Sequence, residues 1–73
     1  MATAQDMKLI AQAMRDPDNL FCVIDYVDQS GKCFTRSVSP LSFDEEKAAV
    51  MMLCLTSGGP RLMKRSRISN VVL

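Results

Sequence analysis

The run Leu20-Phe21-Cys22-Val23-Ile24-Asp25-Tyr26-Val27, followed by Asp28-Gln29-Ser30-Gly31-Lys32, constrains this chain more than any other feature in it. A stretch rich in β-branched and aromatic residues that enters a cluster of turn formers predicts a strand and a tight hairpin. The return strand is expected over Cys33 to Ser39, with Pro40 closing the hairpin where no ladder donor is required. With Ser30-Gly31 as the two central turn residues, Val23 opposes Val38, Asp25 opposes Arg36, Tyr26 opposes Thr35 and Val27 opposes Phe34. One face then carries Phe21, Val23, Val27, Phe34 and Val38, with Asp25 and Arg36 as its only charges. The other carries Cys22, Ile24, Tyr26, Thr35 and Ser37. A lone hairpin is marginal in water, so more strands must follow.

Ahead of it, Met7, Ile10, Ala11 and Met14 recur at helical spacing and form one apolar stripe. Thr3-x-x-Asp6 is a capping box at the start, and Asp16 before Pro17 leaves the α region, which ends the helix near Arg15. After the hairpin, Ser42-x-x-Glu45 and the residues through Leu53 have helical propensity. The apolar run is short, however, and turn residues bound it on both sides. The expectation is therefore a turn at Asp44 to Lys47 and a buried strand from Ala48 to Leu55, with a helix as its rival. Thr56-Ser57-Gly58-Gly59-Pro60 is a turn, and Arg61 to Lys64 and Ile68 to Leu73 read as short strands around a bend at Ser66-Arg67.

A chain of 73 residues with 48% hydrophobic composition makes one small domain whose core gives marginal stability, which leaves room for a partner or a homodimer. The longest unbroken apolar run, Ala48 to Leu55, falls far short of the roughly 20 residues of a membrane-spanning helix. The first residues lack the basic and apolar regions of a secretory signal, so a cytoplasmic location is expected.

Cys22, Cys33 and Cys54 show no CxxC spacing, and the chain has no histidine, which argues against zinc and against any metal. Cys22 and Cys54 lie in apolar runs and read as small core hydrophobes, while Cys33 has only Lys32 beside it. Asp44-Glu45-Glu46 reads as a solvated turn. No nucleophile–base pair, Walker sequence or dinucleotide fingerprint is present, so the chain reads as non-catalytic and without a cofactor. All eight acids precede residue 51. After it come four bases, Arg61, Lys64, Arg65 and Arg67, and no acid. Such a cluster attracts phosphate or acidic protein even when net charge is +1.

Tyr26, the hairpin, Arg36-Ser37-Val38-Ser39-Pro40-Leu41 and then Arg61-Leu62-Met63-Lys64-Arg65-Ser66-Arg67-Ile68 follow one another as in the WYL domain, which residues 20–73 resemble. In that family a strand ending in tyrosine leads through a hairpin to Arg-x-Val-x-Pro and later to Arg-x-hydrophobic-basic-x-x-Arg-Ile. The window of the family's Trp-Tyr-Leu reads Ala-Ala-Val-Met-Met-Leu here, without an aromatic, and the single preceding helix is not a helix-turn-helix. The resemblance implies a small, five-stranded, SH3/Sm-like β-barrel over 20–73, preceded by the amphipathic helix within 1–17.

It further implies a regulatory module in which Arg36, Arg61 and Arg67, supported by Lys64, meet a nucleotide or single-stranded nucleic acid. A guanidinium fork grips phosphate oxygens bidentately, and Tyr26 can stack on a base. The plain structural reading pairs Arg36 with Asp25 across the hairpin. The competing functional reading is an interaction or dimerisation adaptor built on the helix, the barrel edge and Met51, Met52 and Met63.

Overall fold

A computed structural model describes all 73 residues. Thr3 caps helix α1 (Ala4–Arg15): its hydroxyl accepts the Asp6 N–H, and the Asp6 carboxylate accepts the Thr3 N–H, each at 3.0 Å. Asp16 leaves helical geometry ahead of Pro17, as the sequence requires. Five strands follow: β1 (Cys22–Val27), β2 (Cys33–Asp44), β3 (Ala49–Cys54), β4 (Pro60–Lys64) and, after a 3₁₀ turn at Arg65–Arg67, β5 (Ile68–Val72). All pairings are antiparallel, in the order β4-β3-β2-β1-β5, and no β4–β5 ladder closes the sheet. The protein is thus mainly β, one helix against one open sheet. That helix is too short to cross a membrane.

The β1–β2 register is one residue away from the expected one. Cys22 pairs with Val38, Ile24 with Arg36, Asp25 with Thr35 and Tyr26 with Phe34. The cause is the loop. Asp28 N–H donates to the Lys32 carbonyl and Gly31 N–H to the Asp28 carbonyl, so Gln29-Ser30-Gly31 form a three-residue connection with Gly31 at φ +86°. The Asp28 carboxylate holds it, accepting from the Ser30 N–H, the Ser30 hydroxyl and the Lys32 N–H. A slip of one residue exchanges faces. Val38 therefore joins Cys22 and Ile24 in the core, Phe34 joins Tyr26, and Val23 and Val27 lie on the opposite face.

Pro40 does not close the hairpin; β2 runs through it to Asp44. The Leu55 N–H donates to the Ser37 carbonyl, so bonded pairs alternate from there, and Pro40, opposite Met52, falls at a non-bonded position toward β3. Its missing donor would point to the other flank, where the β1 pairing has ended at Val38. A bulge at Leu41 then bends the strand. This continuation decides the ambiguous segment: residues 45–48 form a turn and β3 is a buried strand, not a helix. Ala48 sits in that turn at φ +49°.

The core joins Ile10 and Ala13 of α1 to Cys22, Ile24, Val38, Val50, Met52, Met63, Ile68 and Val71. Met7 and Met14 pack against it. The helix is also tied to β5, since Asp6 accepts the Val71 N–H at 3.3 Å. On the opposite face Asp25 accepts from the Thr35 hydroxyl and the Asn70 amide, at 2.7 and 2.8 Å.

Two stability predictions come from these bonds. Gly31→Ala lowers unfolding free energy by about 1–2 kcal/mol in urea denaturation, because a Cβ there meets no atom within 4 Å and only the left-handed backbone is penalised. Hydrogen bonds hold the carboxyls of Asp6 (chiefly from Thr3), Asp25 (chiefly from Thr35) and Asp28 (chiefly from Ser30) below their ordinary range. A depressed folded-state pKa gives stability that is complete above the unfolded value, near 4, and is lost as pH falls through the folded value. Thermal midpoints are therefore flat from neutrality down to about pH 5 and drop below about pH 4, and Asp6→Asn shrinks that drop.

Candidate functional site

The helix covers the sheet face where Cys22 begins β1; the thiol approaches the Leu9 carbonyl at 4.0 Å, and burial pushes it up to about 11. Toward the other end of that face lies a hollow of about 260 Å³, lined by Tyr26, Asp28, Phe34, Arg36, Cys54, Arg61 and Met63. Register brings them together. Tyr26 opposes Phe34, Ile24 opposes Arg36, Val38 opposes Cys54 and Met52 opposes Arg61, so four strands contribute to one surface.

Arg36 is half-buried, with its guanidinium over the Phe34 ring at 4.6 Å and Nη1 donating to the Thr35 carbonyl at 3.1 Å. The expected Asp25–Arg36 pair does not form, because Asp25 opposes Thr35 and bonds on the other face. Arg61 reaches the hollow from the free-edge strand and is exposed. Neither guanidinium is hydrogen-bonded to a carboxylate. The one carboxylate on the lining, Asp28, has its acceptor capacity taken up by the hairpin loop.

Of the residues singled out in the sequence, Tyr26, Arg36 and Arg61 meet here; Arg67 and Lys64 do not line the hollow. Arg67 Nη1 donates to the carbonyls of Val27 and Asp28, at 3.3 and 2.7 Å, and so fastens the 3₁₀ turn to the end of β1. Lys64 lines a separate hollow with Lys47, Arg65 and Ser66. Phe34 is the residue that sequence reasoning missed, since the assumed two-residue turn put it opposite Val27 rather than Tyr26. The clue was Gly31, whose left-handed backbone suits the third position of a three-residue loop.

Cys54 is 2% exposed, in keeping with a core cysteine, yet it lines the hollow. Its thiol is pulled down to about 7, first by the Ser57 hydroxyl, then by the Ser57 and Thr56 N–H groups, with a smaller pull from the Arg61 charge. These donors belong to the turn that Gly58 closes by donating to the Cys54 carbonyl at 2.7 Å. No three of the Cys, Asp and Glu side chains come together as metal ligands. No protein-family model matches the chain, and no curated protein matches it in sequence.

The hollow therefore presents two guanidinium groups, two aromatic rings and a thiol that gains negative charge as pH rises through about 7. With Cys33 replaced by serine and Cys22 held protonated, thiolate absorbance titrates with a midpoint near 7. Ser57→Ala moves that midpoint upward, and Arg61→Ala moves it less, in the order of the two effects.

Proposed function

We propose that this chain is a non-catalytic, WYL-like binding module with an SH3/Sm-like strand order, and that the hollow takes an anionic nucleotide or single-stranded nucleic acid. One observation carries the reading: Arg36 and Arg61, from different strands, line one hollow beside Tyr26 and Phe34 without a carboxylate partner. Bidentate guanidinium contacts to phosphate are among the stronger charge-assisted bonds, and a planar base finds ring faces to stack on. Arg36 lies over Phe34 at 4.6 Å, which limits its rotamers before any ligand arrives.

The titratable groups of the hollow favour binding over catalysis. They comprise a thiol with no base beside it, a carboxylate engaged by its own loop, and a tyrosine. The adaptor reading has less support, because Met52 and Met63 are spent in the core and only Met51 is half-exposed.

Fluorescence anisotropy with a labelled adenosine monophosphate analogue and a labelled single-stranded oligonucleotide tests the reading. Arg36→Ala and Arg61→Ala each weaken both ligands by about tenfold, as expected for removing one charge-assisted bond of roughly 1.5 kcal/mol. Wild-type binding falls with added salt, and it falls as pH rises through about 7, where the Cys54 thiolate puts a negative charge on the hollow. Cys54→Ala removes that pH step. Unchanged affinity in both arginine variants would defeat the site assignment.

A further inference from the structure

Resting on that reading, we infer that the ligand is a polymer: β4 is a track along which a single nucleic-acid strand runs from the Arg36–Arg61 hollow to a second phosphate position formed by Lys47, Lys64 and Arg65. The second position is a hollow of about 220 Å³ lined by Met1, Lys47, Ala48, Lys64, Arg65 and Ser66. Three cations and a hydroxyl meet there, and the lining contains no carboxylate. Arg65 also borders a neighbouring hollow that holds Asp44 and Glu45, which offset part of its charge, so Lys47 and Lys64 are the uncompensated pair.

The two hollows are the two ends of one strand. Arg61 opens β4 on the first, and Lys64 closes it on the second. Three residues of extended chain separate them, a span of about 10 Å. That lies within reach of neighbouring phosphates on an extended single strand.

The strand between them is a free edge, since β4 pairs only with β3. Cys54 N–H donates to the Gly59 carbonyl and Arg65 N–H to the Ala48 carbonyl, and pairs alternate between these two bonded positions. Arg61 and Met63 therefore bond toward β3, while the N–H groups of Leu62 and Lys64 face outward. Backbone N–H groups are ordinary partners of phosphate and sugar oxygens.

The aromatic rings at one end favour nucleic acid over an acidic peptide, whose carboxylates have no planar group to lay on Tyr26 or Phe34. A hollow of about 260 Å³ suits a single base and its phosphate, not a duplex.

The test is a length series of oligothymidylates, from the mononucleotide upward, measured by competition anisotropy at several salt concentrations on the full chain. The expected result is affinity that rises about tenfold from the mononucleotide to short oligomers and then levels off. Lys47→Ala with Lys64→Ala should abolish that gain and lower the salt dependence by about 0.7 in log–log slope for each phosphate no longer neutralised, while mononucleotide affinity is unchanged. Both lysines are exposed, and circular dichroism of the double variant checks that the fold is retained. Mononucleotide binding that matches oligomer binding, or a double variant that binds oligomers like wild type, overturns the track and leaves the Arg36–Arg61 reading standing. Absence of all nucleotide binding in the wild-type protein defeats both. Displacement by polyglutamate as effective as by oligothymidylate overturns the nucleic-acid assignment.

Discussion

Everything on this sheet depends on the length of one loop. Gln29-Ser30-Gly31 joins β1 to β2, and the Asp28 carboxylate gathers three donors to hold it. An even shorter connection would exchange the two faces of the hairpin, because neighbouring side chains on a strand point to opposite sides. As built, Ile24 and Val38 go inward, Tyr26 and Phe34 meet at the mouth, and Arg36 lies on the same side as the core. Asp25 is left on the far face with Thr35 and Asn70. The loop thus separates the only acid on β1 from the arginine that it would otherwise neutralise.

Part of this organisation is legible in the sequence, and part is not. The Thr3–Asp6 box and the Asp16-Pro17 stop are local devices, and both ends of the helix follow from them. The strand character of Ala49–Cys54 was also readable, against its helical propensity, from a short apolar run between turns. Register was not, because two- and three-residue loops both accommodate the same Asp-Gln-Ser-Gly-Lys segment and only the choice between them fixes the faces. The passage of β2 through Pro40 was hidden for a related reason. Whether a proline is tolerated depends on which flank has a neighbour, and that is settled by strands distant in sequence.

The basic residues after position 60 look like one cluster in the sequence, but the fold divides their work. Arg67 is consumed by two backbone carbonyls, Arg61 faces the concave hollow, and Lys64 and Arg65 turn to the far end of β4. Alternation along a strand and one 3₁₀ turn are enough to scatter them. Spacing along the chain therefore overstated how many would converge, while the pair that does converge comes from strands separated by β3. The low thiol pKa of Cys54 has a similarly non-obvious origin, in a turn whose donors fold back on the strand that precedes it.

Pro40 has one more effect. Beyond Val38 the flank of β2 that β1 leaves bare has a proline where a strand would offer an amide proton. A foreign polypeptide seeking to add itself there finds an interrupted row of donors, so this seam of the molecule resists β-type self-association, and lateral growth of the sheet is confined to its two outermost strands.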